Sequence, residues 1–504
     1  MTRQSGNGAS PDVDTLIIGS GFAGLCMGIH LRRAGMHSIL ILERGPDVGG
    51  TWRVNTYPGC ACDIPSHLYS YSFDLNSQWT RMYPTQAEIW EYLRRCADKY
   101  DLRPSIRFQS EVREAVFDET AHIWRVRTAD GETFCARTIV SGMGGLSRPA
   151  IPRIPGLERF QGPAFHSSEW NHSFDLRGKR LAVIGTGASA IQLVPQIAPQ
   201  VQRLHLFQRT PPWVVPKLDR PIHAWERAMF QYVPGSMRMF RNLLYWRQEM
   251  LGLGYTINPW FMKLLSRWSL DHLRRSVADP ALRAKLTPAY QIGCKRVLIS
   301  NDYFPALCRP NVEVVVDGIA ETRENSIVTA DGTERKVDGL IFGTGFRTTE
   351  LLSPVSFIGR GGASLADTWR RGGLEAFRGM TVAGYPNLFF LIGPNSRVAH
   401  NSIVFMIEAQ THYILECLKM MRQKGITALE ARPEAQARFN HNLQERMKRT
   451  VYASGCKSWY MDEEGRNPIL WPGFSSRYWM QTRRVAAEEY AMTNLGQPEI
   501  AASA

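Results

Sequence analysis

Two glycine-rich turns in this chain of 504 residues have the spacing needed to hold a pyrophosphate. Each turn lies between an apolar strand pattern and a helical pattern, and the two turns are Gly19-Ser20-Gly21-Phe22-Ala23-Gly24 and Gly185-Thr186-Gly187 with Ala190. In this arrangement backbone N–H groups and the positive end of a helix dipole face the anion. One such turn is weak evidence, because glycine also marks ordinary turns, but two copies with the same flanking patterns predict two dinucleotide sites.

The residue that follows the next strand distinguishes the two predicted sites. After the first turn the strand pattern 38–42 ends in Glu43, and after the second turn the pattern 204–207 leads to Arg209 and Thr210. A carboxylate at this place suits a free ribose hydroxyl, whereas a guanidinium suits a 2′-phosphate through its planar donors. We therefore expect the first site to bind the adenosine half of FAD, and the second site, whose helix includes Gln192, to bind NADPH.

A third pattern lies directly before the second turn and consists of Phe160, Gly162, His166 and Trp170. Its spacing resembles the fingerprint of Baeyer–Villiger monooxygenases, which belong to the class B flavoprotein monooxygenases together with the flavin-containing monooxygenases. The family commonly has Pro or Asp after the tryptophan, where this chain has Asn171. The resemblance covers nearly the whole chain. It implies an α/β fold with two Rossmann-like dinucleotide-binding domains, one for FAD and one for NADPH, and a helical insert.

A loop rich in Gly, Pro and aromatic residues follows the first predicted site, and such loops commonly carry binding and catalytic groups. Its pattern at 49–63 (Gly-Gly-x-Trp, Tyr-Pro-Gly, Asp) is similar to a second signature of the family. The resemblance implies that Thr51, Trp52 and Tyr69 lie along the flavin, that Val112 lies at its adenine, and that Asp63 reaches the reaction centre. Packing is an alternative explanation of Trp52, and stabilisation of a turn is one for Asp63.

The segment 293–296 (Gly-Cys-Lys-Arg) also resembles a family segment. The resemblance implies that Lys295 assists the NADPH 2′-phosphate and that Arg296 stands over the flavin. It further implies a reaction of O₂ with a small-molecule ketone, through a C4a-peroxyflavin, to give an ester or lactone. Because the peroxide and the tetrahedral alkoxide both carry negative charge, a permanently protonated guanidinium stabilises them, and Asp63 beside it would orient Arg296.

Two other functions share parts of these patterns. A flavin-containing monooxygenase would oxidise sulfur or nitrogen and would need neither Arg296 nor Asp63. A pyridine-nucleotide disulfide reductase has paired dinucleotide turns but needs a redox-active cysteine pair after the first of them. The spacing of Cys60 and Cys62 does not match such a pair.

We predict that residues 1–145 form the first part of the FAD domain, 150–378 the NADPH domain, and 379–504 the second part of the FAD domain. The insert at about 217–291 interleaves aromatic residues with arginine. A packed helical subdomain explains it, and so does a segment that lines the substrate entry or touches a membrane surface. Asn395 and His400 either face the substrate or belong to an ordinary polar loop.

The composition restricts the remaining possibilities. The formal net charge is +14, but the basic residues are scattered and both expected cofactors are polyanions, so no nucleic-acid partner is needed. Nine cysteines without C-x-x-C spacing predict no metal site and a reducing, cytoplasmic setting. Residues 1–12 lack the apolar core of a secretory leader, and no apolar run predicts stable membrane insertion. The sequence leaves the specific substrate and the oligomeric state open.

Overall fold

The computed structural model describes residues 11–258, 260–348, 352, 354–456, 458–462 and 464–495. Most of the segment 1–12, on which the expectation of no secretory leader depends, lies outside these ranges. In the described part of the chain, no helix is both long enough and apolar enough to cross a bilayer.

Residues 11–141 form most of the first sheet and the helices that pack on it. The elements are β1 (Val13–Ile18), α1 (Phe22–Arg33), β2 (Ile39–Leu42), α2 (Thr51–Val54), α3 (Gln86–Lys99), β3 (Ile106–Arg107), β4 (Val112–Asp118), β5 (Ile123–Thr128) and β6 (Thr133–Ser141). Strand β1 pairs in parallel with β2 and β6, and β4 to β6 run antiparallel. Helix α3 is amphipathic, with Ile89, Tyr92 and Leu93 on its buried face.

Residues 164–342 form a second unit, which carries the helical insert. Its elements are β7 (Ala164–His166), β8 (Arg180–Ile184), α4 (Ala188–Ile197), β9 (Arg203–Phe207), β10 (Val214–Val215), α5 (Ala224–Tyr232), α6 (Ser236–Thr256), α7 (Trp260–Ser276), α8 (Pro280–Leu286), β11 (Leu298–Ile299), α9 (Tyr303–Leu307), β12 (Val312–Val315), β13 (Ile319–Arg323), β14 (Ser326–Thr329), β15 (Glu334–Lys336) and β16 (Gly339–Phe342). Its main sheet is entirely parallel, in the order β12-β9-β8-β16-β7. Helices α5 to α8 confirm that the predicted insert is helical.

The last part of the chain returns to the first sheet. Its elements are β17 (Ser356–Ile358), α10 (Leu365–Gly372), β18 (Leu388–Phe390), α11 (Ile403–Lys424), β19 (Ala428–Ala431), α12 (Pro433–Met447), α13 (Ser475–Gln481) and β20 (Tyr490–Thr493). Strand β17 pairs with β4, and β18 pairs with β6. Because β17 precedes residue 378, the chain is already back in the first sheet before the predicted boundary. The division into domains stays a prediction.

Two neighbouring chain crossings join the units. Ala150 N donates to Gly345 O at 2.9 Å, and Arg347 N donates to Arg148 O at 3.1 Å. Each sheet also contains a parallel strand, β1 in the first and β8 in the second, that ends at one of the two glycine turns. This architecture confirms the predicted α/β class.

Candidate active site

The first glycine turn connects β1 to α1. Gly19 has φ +92°, and a Cβ added at Gly24 would lie 1.8 Å from Gly19 O, so both positions need glycine for the chain itself. At Gly21 the nearest atom to an added Cβ would be Gly50 Cα, at 3.6 Å. The protein itself therefore makes no clash with a Cβ at Gly21, and the close approach of a pyrophosphate is the reason we infer for glycine at this position.

In the second turn, between β8 and α4, one glycine is again needed by the chain itself and another is not crowded by it. Gly185 has φ +105°, and an added Cβ there would be 2.5 Å from Gly343 O. At Gly187 the closest neighbour would be the same carbonyl oxygen, 3.9 Å away. Ala190 packs against Gly343, where an added Cβ would lie 3.2 Å from the alanine Cβ. Gly187 is therefore free of crowding by the protein and open to a ligand.

Glu43 lies beside the first turn and is 5% exposed. Its Oε2 accepts hydrogen bonds from the backbone N and the hydroxyl of Ser20, both at 2.8 Å, and its Oε1 accepts from Gly45 N at 2.8 Å. Phe22 and Ala23 are buried at the start of α1. These contacts fix the carboxylate beside the first turn, and its contact with a ribose hydroxyl stays a prediction.

Arg209 and Lys295 form a pair of neighbouring cations beside the second turn. The Lys295 Nζ lies 4.7 Å from the centre of the Tyr290 ring, and burial and the nearby Arg209 charge both lower the pKa of Lys295. Among the described residues neither cation has a carboxylate partner in an ion pair. Thr210 O accepts a hydrogen bond from Thr186 Oγ1 at 3.1 Å, which ties this region to the turn. Two unpaired cations suit a doubly charged phosphate group.

The loop after β2 brings aromatic side chains towards the first turn. Trp52 Nε1 donates to the Tyr69 hydroxyl at 3.1 Å, and the Tyr69 ring meets Phe22 edge to face at 5.2 Å. Burial raises the pKa of Tyr69, so this hydroxyl stays protonated. Thr51 begins α2, and Val112 is 3% exposed at the start of β4. The contacts of these residues with a flavin stay predictions.

Asp63 and Arg296 lie 233 residues apart in the chain and form an ion pair. Arg296 Nε and Nη2 both donate to Asp63 Oδ2, at 3.0 and 2.5 Å. The side chain of Arg296 is 31% exposed and that of Asp63 is 25% exposed, and the Asp63 charge raises the pKa of Arg296. The carboxylate therefore keeps the guanidinium protonated and fixes its Nε–Nη2 edge, which leaves Nη1 outside the ion pair.

Three residues around this pair were not predicted from the sequence. Tyr460 is buried, and the adjacent Arg296 guanidinium partly offsets the rise in pKa that burial causes. Tyr255, near the end of α6, is buried close enough to the pair that Asp63 and Arg296 both affect its pKa. Arg397 has its pKa lowered to about 10 by burial, partly offset by Tyr460. No local motif marks these residues, and the aromatic density of their segments was the only signal.

A disulfide bond adjoins the catalytic candidates. Cys294, two residues before Arg296, is bonded to Cys456, with the two Cα atoms 6.3 Å apart. The other seven cysteines are free thiols. The partners are separated by 162 residues, so their spacing could not indicate the bond. It links the segment that carries Arg296 to the loop that leads to Tyr460.

The fingerprint that precedes the second turn has a packing role at the crossings. An added Cβ at Gly162 would lie 2.6 Å from Asp338 O and 2.8 Å from the Phe160 ring, and the His166 ring meets Phe346 at 5.3 Å. Trp170 packs edge to face on the ring of Phe165, on the same strand as His166. These contacts tie the fingerprint to the second crossing.

Asn171, the departure from the family pattern, stabilises a turn. Its side-chain oxygen accepts from Ser173 N at 3.1 Å and from the Ser173 hydroxyl at 2.6 Å. An aspartate makes the same type of turn.

Three polar candidates make contacts within the protein. Gln192 accepts from the Tyr57 hydroxyl at 2.9 Å and donates to Ala61 O at 2.9 Å, so it clamps the loop after β2 onto α4. The Asn395 amide donates to two backbone oxygens of the segment 467–470. The His400 side chain is 1% exposed, with its Nε2 3.5 Å from Glu249 Oε2. For Asn395 and His400 the structure favours a structural role over contact with a substrate.

Metal binding has no support in the described ranges, where no three His, Cys, Asp or Glu side chains are grouped as metal ligands.

Comparison with known proteins agrees with this arrangement. Residues 16–242 match the profile of the family described as pyridine nucleotide-disulphide oxidoreductase. A Baeyer–Villiger monooxygenase of Pseudomonas aeruginosa is 48% identical over 495 residues, which cover 98% of this chain and 94% of that protein. The matched profile includes both glycine turns. Cys60 and Cys62, however, stand two positions apart, a spacing that does not match the redox cysteine pair of a disulfide reductase.

Solved structures show the same fold. An oxidized steroid monooxygenase bound to NADP superimposes with a TM-score of 0.86 at 31% identity and covers 95% of this chain and 99% of its own. OTEMO in complex with FAD and NADP superimposes with a TM-score of 0.87 at 27% identity, over 96% of this chain and 100% of its own. Together with the near-complete match to the Pseudomonas aeruginosa protein, these similarities show that the chain belongs to the Baeyer–Villiger monooxygenase family.

Proposed function

We propose that this chain uses FAD, NADPH and O₂ to insert one oxygen atom next to the carbonyl of a small-molecule ketone, giving an ester or lactone. The observation that carries the proposal is the ion pair between Arg296 and Asp63. Asp63 belongs to the loop that follows the FAD-side turn, and Arg296 directly follows Lys295, one of the two NADPH-side cations. A fixed positive charge is therefore available beside both expected cofactors.

The ion pair accounts for the preference for carbonyl chemistry. Attack on a ketone places negative charge on the carbonyl oxygen, and a positioned cation stabilises that charge most in a site that excludes water. Because Asp63 raises the pKa of Arg296, the guanidinium remains protonated throughout the accessible pH range. Asp63 engages the Nε–Nη2 edge of the guanidinium and leaves Nη1 outside the ion pair, and we propose that Nη1 faces the reacting oxygen. Oxidation of sulfur or nitrogen has no such requirement.

The chain's own residues bind and orient the two cofactors. When bound, the reduced flavin supplies the activation of O₂ and NADPH supplies the hydride. The turns at Gly21 and Gly187 admit the pyrophosphates, and Arg209 with Lys295 binds the 2′-phosphate. Tyr255 and Tyr460 bury the region around Arg296 and limit the access of water. The proposal also includes a cytoplasmic location. The seven free thiols agree with a reducing compartment, whereas the Cys294–Cys456 disulfide is an exception to it.

Product analysis tests the proposed function. The FAD-loaded protein is incubated with NADPH, air and a panel of linear, cyclic and aryl ketones plus one thioether, and the products are identified by mass spectrometry. We expect esters or lactones that contain one oxygen atom from ¹⁸O₂. Sulfoxide as the sole product would instead assign heteroatom oxygenation, and the ion pair would then be structural.

Arg209→Ala is expected to raise KM for NADPH far more than KM for NADH. The variant loses a charge-assisted contact worth roughly 1.5–3 kcal/mol, so KM for NADPH should rise roughly 10- to 100-fold. KM for NADH, which has no 2′-phosphate, should change less than about twofold. Steady-state oxidation of both cofactors measures this. Arg203→Ala is the control, since Arg203 begins β9, the strand that leads to Arg209, and contacts Pro310 O and Glu313. Equal rises for NADPH and NADH would refute the assignment.

A further inference from the structure

The helical insert carries an exposed apolar surface. Thirteen of the twenty-one large hydrophobic side chains that are exposed in the described part of the chain lie between residues 225 and 268. We define the apolar face by Met239, Leu243, Trp246 and Met250 on α6, and Leu264 and Trp268 on α7. Patches of this kind on a folded protein mark a surface that binds a partner.

Helix α6 is apolar on two opposite sides, and only one side is used for folding. Residues 239, 243, 246 and 250 follow a spacing of four, three and four, which places them on a single stripe. Their side chains are 73%, 65%, 58% and 61% exposed. The opposite side includes Leu244 and Tyr255, at 4% and 5% exposure, and packs on the protein. Because the inner side already supplies the packing, the outer stripe is available for a partner.

The charges around the apolar face are almost all positive. Exposed cations on α6 and α7 are Arg238, Arg247, Lys263, Arg267, Arg274 and Arg275. The carboxylates of this segment do not offset the positive charge around the apolar face. Glu226 and Glu249 are buried in contacts with the protein, and Asp271 is paired with Arg274 at 3.3 Å. Apart from Arg274, these cations have no carboxylate partner among the described residues, so the surface combines Trp, Leu and Met side chains with uncompensated positive charge.

This combination fits the interface of an anionic bilayer. Tryptophan prefers the headgroup level, aliphatic side chains enter the acyl boundary, and each Lys or Arg near an anionic leaflet adds to the attraction. Pairing of the face with a second copy would bring the same cations together, because a twofold contact joins identical patches. The charge distribution therefore favours lipid over self-association.

Helix α6 also connects the apolar face to the site. The buried Tyr255 packs on the segment that carries Arg296, since a Cβ added at Gly293 would lie 3.2 Å from its ring, whereas Ile257, two residues after Tyr255, is 59% exposed. We propose that the insert binds peripherally to anionic bilayers through the apolar face, and that it brings ketones dissolved in the bilayer to the catalytic centre. The binding step depends only on the surface, whereas the delivery step rests on the proposed function.

Vesicle co-sedimentation of the FAD-loaded protein tests the binding step. Wild type is expected to bind vesicles of phosphatidylcholine with phosphatidylglycerol at least about tenfold more strongly than pure phosphatidylcholine vesicles, and salt should weaken this binding. The triple variant L243S/W246S/M250S and the charge variant R238E/K263E/R267E should each lose about tenfold or more. W479S/M480S is the matched control, because these side chains are exposed outside the insert, and it should bind like wild type.

Several results would overturn the proposal. These are equal binding of wild type to neutral and anionic vesicles, no binding at all, or unchanged binding of the triple variant. A wild-type dimer that the triple variant converts to a monomer, without any vesicle binding, would instead show that the face joins two copies. Light scattering after gel filtration measures the oligomeric state of each protein.

A kinetic comparison separates the two steps. The triple variant should turn over a water-soluble cyclic ketone like wild type, but should lose about tenfold on a long-chain ketone supplied in anionic vesicles. Equal turnover of the long-chain ketone by both proteins would refute delivery. If wild type binds anionic vesicles but forms no ester from any ketone, the proposed function fails and the membrane interface stands.

Discussion

Replacing Arg296 with alanine is expected to lower kcat for ketone oxygenation by about 10²- to 10³-fold, the usual cost of one lost contact to a developing oxyanion. Reduction of the flavin by NADPH should change no more than a few fold, because hydride transfer precedes the step at which the carbonyl oxygen becomes negative. Single-turnover absorbance of the flavin measures its reduction by NADPH, and ester formation under air measures ketone oxygenation.

The control for this prediction is Arg180→Ala. Arg180 forms an ion pair with Asp338 whose side chains are 35% and 30% exposed, close to the values for Arg296 and Asp63. It lies at the start of β8, in neither glycine turn, so its loss tests the cost of breaking an ion pair alone. Undiminished ester formation by Arg296→Ala, or an equal loss in Arg180→Ala, would contradict the catalytic role.

A second substitution, Arg296→Lys, distinguishes charge from geometry. Lysine retains the positive charge but cannot offer the planar Nε–Nη2 edge that Asp63 binds. We expect activity between those of alanine and wild type. Activity equal to wild type would mean that the planar contact with Asp63 is dispensable.

Gly187→Val is expected to abolish NADPH-dependent flavin reduction while FAD stays bound. The closest atom to an added Cβ is Gly343 O at 3.9 Å, and the backbone at Gly187 has φ −78° and ψ −171°, which valine also adopts. The protein should therefore tolerate the substitution, whereas a pyrophosphate at the turn should not. Flavin reduction by NADPH, flavin content and Tm are the measurements.

The reciprocal variant, Gly21→Val, provides the control. It should release FAD, because an added Cβ at Gly21 meets the protein only at van der Waals distance, with Gly50 Cα at 3.6 Å, whereas a pyrophosphate at the turn would collide with the valine. If Gly187→Val lost the flavin and Gly21→Val retained it, the two cofactor assignments would be exchanged. A large fall in Tm for Gly187→Val would show that the valine disturbs packing, which contradicts the open space seen at this turn.

The paired dinucleotide turns could be predicted from the sequence because each is a local motif. A strand, a positive-φ glycine, a glycine that a ligand can approach and a helix start follow one another within a few residues, so backbone geometry and the pyrophosphate together require a local pattern. Glu43 and Arg209 could be predicted for the same reason, since each follows the next strand of its unit. The family resemblance added Asp63 and Arg296, and the structure brings these two residues into contact.

The tertiary structure alone decided the long-range features. Tyr255 and Tyr460 come from separate segments and meet near Arg296 only after folding, and Cys294 bonds to Cys456 across 162 residues. Helix α6 shows most clearly what the sequence alone cannot determine. Its sequence is apolar on two sides, and periodicity cannot tell which side is buried, because burial depends on what the rest of the chain packs against it.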